Sequence, residues 1–114
     1  MPEISATEAK HLIDAGAEVV DVRTDVEYAA GHIGGSRHIP LADIQGQADS
    51  LDRAKPVIIY CRSGNRSGPA ADAFAASGWD AHSVEGGLIS WAEAGLPLEP
   101  EDGSVAENPN MPPR

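Results

Sequence analysis

Cysteine is nearly absent from this sequence, since Cys61 is the only one among its 114 residues. One cysteine excludes an intrachain disulfide and gives no indication of an oxidising compartment. It also excludes zinc sites built on several thiolates, and the four histidines are scattered without metal-ligand spacing. We therefore expect neither a metal nor a cofactor.

Basic residues and long apolar runs are also scarce. Eight Lys and Arg stand against 18 Asp and Glu, which gives a net charge of −10. Such a charge disfavours nucleic acid and anionic membrane surfaces as partners. No apolar run approaches the ~18 residues of a membrane-spanning helix, and the first residues do not resemble a signal sequence. We predict a soluble cytoplasmic protein.

The residues that are present indicate one α/β domain. Hydrophobic residues make up 41% of the chain, enough for a single core at this length. Short apolar runs predict strands at 18–22, 37–39, 57–60 and 81–84. Helices are predicted at 6–15, 26–30, 70–76 and 86–94, with one or two short helices within 41–52. This alternation predicts a doubly wound domain with a mostly parallel sheet.

The ends of these elements carry local signals. Ser5 and Glu8 form a capping box ahead of the first helix, and Asp25 is expected to cap the second. From residue 97 onward the chain is rich in Pro, Glu and Asn. We expect a folded domain at 1–98 and a flexible tail at 99–114.

The most informative stretch surrounds Cys61. It follows the apolar run 57–60 and precedes the alanine-rich helix, which puts it at the carboxyl end of a strand. Open α/β sheets bind ligands at that edge, and helix N-termini bind anions. Arg62 and Arg66 add positive charge, while Gly64 and Asn65 can adopt left-handed angles that turn N–H groups inward. Such a loop would stabilise a thiolate, or an anion attached to it.

A lone cysteine is more often a buried structural residue than a reactive one. Here Cys61 has a predicted strand before it and a cationic loop and a helix after it, and this order favours a reactive cysteine. The same context makes the residues after it candidates for binding a substrate: Arg62, Ser63, Gly64, Asn65, Arg66 and Ser67.

Three stretches of the sequence belong together. The first is Asp21-Val22-Arg23 with Glu27-Tyr28, Gly31-His32-Ile33 and Ile39-Pro40, the second is the loop Cys61–Arg66, a cysteine followed by a short cradle of amides, and the third is Gly86-Gly87 with Trp91 and Gly95-Leu96-Pro97. In this chain order they resemble the signatures of the rhodanese family of sulfurtransferases. The resemblance covers roughly residues 1–100 and implies a rhodanese-like three-layer domain, with a central sheet flanked by helices.

The resemblance also implies a reaction in two steps. The Cys61 thiolate would take the outer sulfur of an anionic donor such as thiosulfate, and the resulting persulfide would pass it to cyanide or a thiol. The N–H groups of residues 62–67 would hold that sulfur, and Arg62 and Arg66 would attract the donor. On this reading, Arg66→Ala damages donor use and spares folding.

Other residues near the predicted sheet edge are assigned supporting roles. Asp21 is expected to brace the loop or an arginine, and Arg23 to add charge at the mouth of the site. His38 is able to approach Cys61 through the fold, whereas His32 is expected to hydrogen-bond the crossover. Trp91 is expected to pack in the core.

Two other classes of function stay open. A cysteine-dependent phosphatase uses similar parts, but its loop places one more residue between cysteine and arginine than the four found here. A non-catalytic domain, or a sulfur-relay protein loaded by a cysteine desulfurase, shares the fold without the turnover. Because the chain has no second cysteine, its sulfur must pass to an external acceptor, which argues against a self-resolving arsenate reductase.

Overall fold

A computed structural model describes residues 3–100 and 103–105. Its core is a sheet of five strands in the order β1-β5-β4-β2-β3, and each neighbouring pair is parallel. The strands are Glu3–Ile4 (β1), Glu18–Asp21 (β2), Arg37–His38 (β3), Val57–Tyr60 (β4) and Ala81–Val84 (β5). The predicted α/β class and parallel sheet are confirmed. The two-residue β1 was not predicted, because so short a segment carries no periodicity of its own.

Four α-helices and two 3₁₀ turns connect the strands. The helices are Ala6–Asp14 (α1), Asp25–Ala30 (α2), Ser67–Ala76 (α3) and Gly87–Glu93 (α4), and the turns are Leu41–Asp43 and Ala48–Ser50. None of the helices in the described ranges is long and apolar enough to cross a membrane.

The helix caps agree with the sequence signals at α1 and differ at α2. Ser5 caps α1 and forms the predicted box with Glu8. The prediction that Asp25 caps α2 was wrong, since Thr24 is the N-cap and Asp25 the first helical residue. Thr24 and Glu27 form a second capping box, in which each side chain accepts a hydrogen bond from the backbone N–H of the other.

Helices cover both faces of the sheet and divide the core into two clusters. Val57 and Ile59 of β4 face the α3 side with Phe74, whereas Ile58 and Tyr60 face the side of α1 and α4. This alternation follows the period of two of a strand, and it accounts for a run of four buried residues without a polar one. The layering is that of the expected three-layer domain.

The position of β4 brings the polar strand ends together. It pairs with β2 on one side and β5 on the other, and Tyr60 lies opposite Asp21. The residue after Tyr60 therefore leaves the sheet at its centre. There α3 begins at Ser67, so that the loop after β4 is short.

The described part of the segment after residue 98 contacts the domain. Glu99 and His32 form an isolated antiparallel bridge, with N···O distances of 3.0 and 2.7 Å. The Ser104 N–H donates to the Ala30 carbonyl at 2.9 Å, and Val105 packs on the second core cluster. The boundary expected at residue 98 falls within this packed segment. Residues 106–114 lie outside the described ranges, and a flexible tail there stays a prediction.

Candidate active site

The sulfur of Cys61 is surrounded by donors from the loop that follows it. The residue is fully buried, and its Sγ accepts the N–H groups of Gly64 at 3.0 Å and Arg66 at 3.4 Å. The hydroxyl of Ser67 donates to the same atom at 3.5 Å. Cys61, the residue after β4, therefore places its sulfur among the N–H groups of the loop that follows.

Gly64 gives this cradle its curvature. Its φ of +99° is rarely accessible to residues with a Cβ, and its carbonyl accepts the Gly68 N–H at 3.0 Å, which ties the loop to α3. The expectation that Asn65 also adopts left-handed angles was wrong, because every residue with such a φ in the described ranges is a glycine. The Asn65 side chain is exposed, and neither it nor half-buried Ser63 makes a described hydrogen bond to the sulfur.

The first turn of α4 fixes the start of the loop. The N–H groups of Leu88 and Ile89 donate to the carbonyls of Cys61 and Arg62 at 2.9 and 3.1 Å. Helix N-termini offer such unpaired donors, and here they bind two carbonyls at the start of the loop. Gly87 makes this approach possible, because a Cβ there would lie 2.5 Å from the Arg62 oxygen.

Arg66 does not carry a free charge, since Glu27 binds it in a bidentate pair. The Nη1–Oε1 and Nη2–Oε2 distances are 2.9 and 3.0 Å, and the Glu27 side chain is only 1% exposed. Burial acts to raise the pKa of Glu27, but hydrogen bonds from Arg66 and Thr24 outweigh it and hold that pKa below its ordinary value. The hydrogen bond to Glu27 likewise raises the pKa of Arg66.

Sequence reasoning did not assign Glu27 to the site. Glu27 and Arg66 are 39 residues apart, and the Thr24–Glu27 capping box gives Glu27 a sufficient local explanation. One general rule could have indicated the pair: a carboxylate on a helix that packs against the sheet edge needs a cationic partner when it is buried.

Arg62 differs from Arg66. No carboxylate in the described part of the chain lies within ion-pair distance of its guanidinium, and its Nε is buried without a partner. Because Glu27 neutralises Arg66, Arg62 is the arginine of the loop whose charge is available to an anion.

Asp21 and Arg23 form a buried brace behind the loop. Both are fully buried, and Arg23 Nη2 contacts Asp21 Oδ2 at 2.6 Å and the Gly31 carbonyl at 2.7 Å. Burial opposes the charge of Arg23, but the hydrogen bond with Asp21 raises its pKa. The expectation that Arg23 adds charge at the mouth of the site was wrong, since Arg23 is buried and its charge is paired with Asp21. Asp21 braces an arginine as expected.

Ser83 is a second residue that the sequence did not single out. Its hydroxyl lies 2.8 Å from that of Ser67, and both residues are fully buried. The pair fixes the Ser67 hydroxyl beside Cys61. The position of Ser83 between His82 and Val84 in a predicted strand could have indicated this pair, because a buried hydroxyl needs a hydrogen-bond partner.

The remaining candidates have structural contacts. His38 Nε2 lies 2.7 Å from the Arg23 carbonyl and His32 Nδ1 lies 2.8 Å from the Tyr28 carbonyl, and both rings stack on Tyr28. In the described part of the chain, no hydrogen bond joins His38 to the Cys61 sulfur. Trp91 is buried and donates its indole N–H to the Pro97 carbonyl, in agreement with packing. No group of three metal-ligating side chains occurs among the described residues.

Comparison with known proteins identifies relatives along most of the chain. A family model described as "Rhodanese-like domain" matches residues 5–94. A protein of Pseudomonas paraeruginosa named thiosulfate sulfurtransferase GlpE is 36% identical over 105 residues, which cover 91% of this chain and 92% of the relative. The putative sulfurtransferase YtwF of Bacillus subtilis is 37% identical over 91 residues, 78% of this chain and 88% of the relative.

A solved structure is similar over the same region. The crystal structure of a rhodanese-related protein from Thermoplasma volcanium superposes with a TM-score of 0.79 at 34% identity, and the match covers 86% of this chain and 97% of that one. The cradle around Cys61, the layered parallel sheet and these matches agree, and the chain belongs to the rhodanese-like domain family.

Proposed function

We propose that this sulfurtransferase uses thiosulfate as a donor and carries the transferred sulfur as a persulfide on Cys61. The observation that carries this proposal is the pair of N–H groups, from Gly64 and Arg66, directed at the Cys61 sulfur. The relatives named thiosulfate sulfurtransferase support the choice of donor.

In the first step the Cys61 thiolate attacks the outer sulfur of thiosulfate. A new S–S bond forms to Cys61 Sγ, the S–S bond of the donor breaks, and sulfite leaves with the electron pair. The amide cradle stabilises the negative charge on the persulfide by preorganised hydrogen bonds. The Ser67 hydroxyl, held by Ser83, adds a third donor.

Arg62 and Arg66 have different roles in this proposal. Arg62, whose charge is not neutralised by a carboxylate of the described chain, binds the sulfite portion of the donor. Arg66 orders the loop through its bidentate pair with Glu27. Arg66→Ala would leave Glu27 buried without its cation, so this substitution is expected to affect folding as well as donor use.

In the second step an acceptor such as cyanide or a thiol removes the outer sulfur and regenerates the Cys61 thiolate. Because the chain has no other cysteine, the acceptor is external. A cysteine desulfurase that loads Cys61 in place of thiosulfate would make the protein a sulfur relay. We place the reaction in the cytoplasm as a prediction, on the ground that a lone free cysteine gives no indication of an oxidising compartment.

The test is intact-protein mass spectrometry combined with steady-state rates. Incubation with thiosulfate should add one sulfur atom, cyanide should remove it, and Cys61→Ser should gain none. Ping-pong kinetics with thiosulfate and cyanide are expected. A protein that gains sulfur only from a desulfurase, and turns over no thiosulfate, would instead be a relay. A protein that gains no sulfur from either source would exclude both roles.

A further inference from the structure

An apolar groove opens beside the active-site loop, which is the segment Cys61–Arg66 between β4 and α3. It has a volume of about 350 Å³, and Asn65 and Arg66 of the loop form one end of its wall. Most of the remaining wall is apolar, with side chains from the 3₁₀ region and from α3, among them Leu41, Ile44, Pro69 and Phe74. We call this feature the α3 groove. Its volume falls in the range of pockets that hold small organic ligands.

The groove extends along α3 away from the loop. A second hollow of about 230 Å³ shares Gln45, Ala73 and Phe74 with it and reaches Trp79. Helix α3 has 10 residues and is therefore about 15 Å long. Thiosulfate and cyanide are small polar species and need no binding surface beyond the cradle. Neither of them therefore accounts for an apolar surface of this length.

Two features of the sequence keep the groove open. The side chains that α3 presents to it include Ala70 and Ala73, which are too small to fill it. The segment opposite forms only short 3₁₀ turns, and Leu41 remains 39% exposed. Leu41 and Val26 are the large hydrophobic residues that are exposed in the described part of the chain. Exposed apolar surface beside a reactive group is typical of a ligand-binding surface.

The charges around the groove favour a neutral ligand. Glu27 neutralises Arg66 at the end nearest the loop, and the protein carries a net charge of −10. An acceptor with several carboxylates would be repelled by this field and would find no free cation in the Arg66 side chain. A peptide would need partners for its own N–H and C=O groups, and the α3 backbone is already bonded within the helix.

We propose that the α3 groove binds the carbon chain of an apolar organic thiol, which is the sulfur acceptor of the second step. This proposal rests on the Cys61 persulfide proposed above. The acceptor thiolate attacks the outer sulfur of that persulfide and forms a new S–S bond. The S–S bond to Cys61 Sγ breaks, and its electron pair returns to Sγ. The acceptor leaves as an organic persulfide, and no external oxidant or reductant takes part.

The test measures how acceptor chain length changes the rate of sulfur removal. The persulfide form is prepared with thiosulfate, and its discharge is followed with ethanethiol, butanethiol and hexanethiol. Chain length leaves the basicity of these thiols nearly constant, so a change in rate reports binding of the chain. We expect kcat/KM to rise about fourfold with each added methylene, the factor that corresponds to burying one CH₂ group.

Two matched variants locate the effect in the groove. Ala73→Gln places a longer polar side chain on the wall of the groove, whereas Ala76→Gln makes the same change at an exposed position of α3 that does not line it. Rates are expressed as the ratio of hexanethiol to cyanide discharge. We expect this ratio to fall about tenfold in Ala73→Gln and to remain at the wild-type value in Ala76→Gln.

The outcomes separate this inference from the proposed function. If thiosulfate loads Cys61 and cyanide discharges it, but the three thiols react equally, the groove does not bind the acceptor. Equal ratios in the two variants would overturn the proposal in the same way, as would a cysteine-bearing peptide that outcompetes hexanethiol. If no persulfide forms at all, the proposed function fails first and the acceptor proposal fails with it.

Discussion

Glu27 takes part in two structures at once. Its carboxylate closes the capping box of α2 and binds both terminal nitrogens of Arg66, so the helix start and the active-site loop share one residue. The sequence analysis assigned Glu27 neither role, since it placed the cap of α2 at Asp25. A capping box is visible in four consecutive positions, whereas a pair formed across the fold depends on how α2 packs beside the loop.

Removal of either partner of this pair should destabilise the fold. We expect Glu27→Gln to lower the free energy of unfolding by about 2–4 kcal/mol, since it leaves a largely buried guanidinium without its anion. Arg66→Ala should cost a similar amount. Chemical denaturation of both single variants and the double variant measures the coupling. A double variant whose loss equals the sum of the single losses would show that the two side chains act independently.

The stability of the domain should fall in acid because of the same carboxylate. The pKa of Glu27 is lower in the folded state than its ordinary value of 4.5. Between these two pKa values the unfolded chain binds a proton that the folded chain does not, so the stabilisation is present above pH 4.5 and is lost as the pH falls through the folded pKa. Glu27→Gln lacks this contribution. Urea unfolding at several acidic pH values should therefore show a shallower pH dependence in the variant, and parallel curves would contradict the assignment.

At the level of single residues, part of the cradle was predictable from the sequence. A cysteine after an apolar strand and before a helix predicted the amides of Gly64 and Arg66 around the sulfur. The sequence could not assign different roles to Arg62 and Arg66, because two arginines in one loop look equivalent until their partners are known. It also misplaced Arg23, whose charge is satisfied by Asp21 in the interior and not at the surface.

At the scale of elements, α4 positions the loop between Cys61 and α3. Its first turn holds the carbonyls of Cys61 and Arg62, and this requires the backbones of Gly87 and the loop to be in contact. The element pattern predicted α4 as a helix that begins at Gly86-Gly87 and runs to Ala94. It did not predict that this helix begins against the active-site loop, since that contact arises from the sheet order β5-β4.

Gly87→Ala should therefore damage both stability and sulfur transfer. Its Cβ would lie 2.5 Å from the Arg62 oxygen, and its φ of +60° already disfavours a side chain. The matched control is Gly95→Ala, which has a φ of +77° and no atom within 4 Å of the added Cβ. We expect Gly95→Ala to cost about 1 kcal/mol, from backbone strain alone.

We expect Gly87→Ala to cost at least twice as much and to reduce persulfide formation at least tenfold. Thermal or urea unfolding measures the first effect, and mass spectrometry after thiosulfate treatment measures the second. Similar losses in the two variants would mean that the contact with the loop is unimportant.

For the whole molecule, the sequence predicted the main strands, while the limits of the domain stay a prediction. Val57–Tyr60 forms a continuous apolar run because both faces of β4 are covered, whereas β2 and β5 have short apolar stretches with polar residues beside them. The limits depend on contacts that local composition does not encode. Glu99 pairs with His32, and Ser104 with Ala30, within a stretch that reads as tail by its Pro and Glu content.

We propose that the folded unit extends to at least residue 105. A chain ending after residue 98 should unfold more easily than a chain ending after residue 105, because it loses the bridge to His32, the Ser104 hydrogen bond and the packing of Val105. Denaturation of the two truncated chains measures the difference, which we expect to be about 1–3 kcal/mol on the basis of the usual value of buried hydrogen bonds and apolar contacts. Equal stability would restore the boundary at residue 98.

The reactive cysteine is attached to β4, the strand that is paired on both sides at the middle of the sheet. Central strands of this kind are the last backbone to open when a protein breathes. The backbone that carries Cys61 should therefore stay paired when outer elements open, whereas the amide cradle also depends on α2 through Glu27 and on the first turn of α4. Mild denaturation should then disturb the surroundings of the sulfur before the central strand separates from its neighbours.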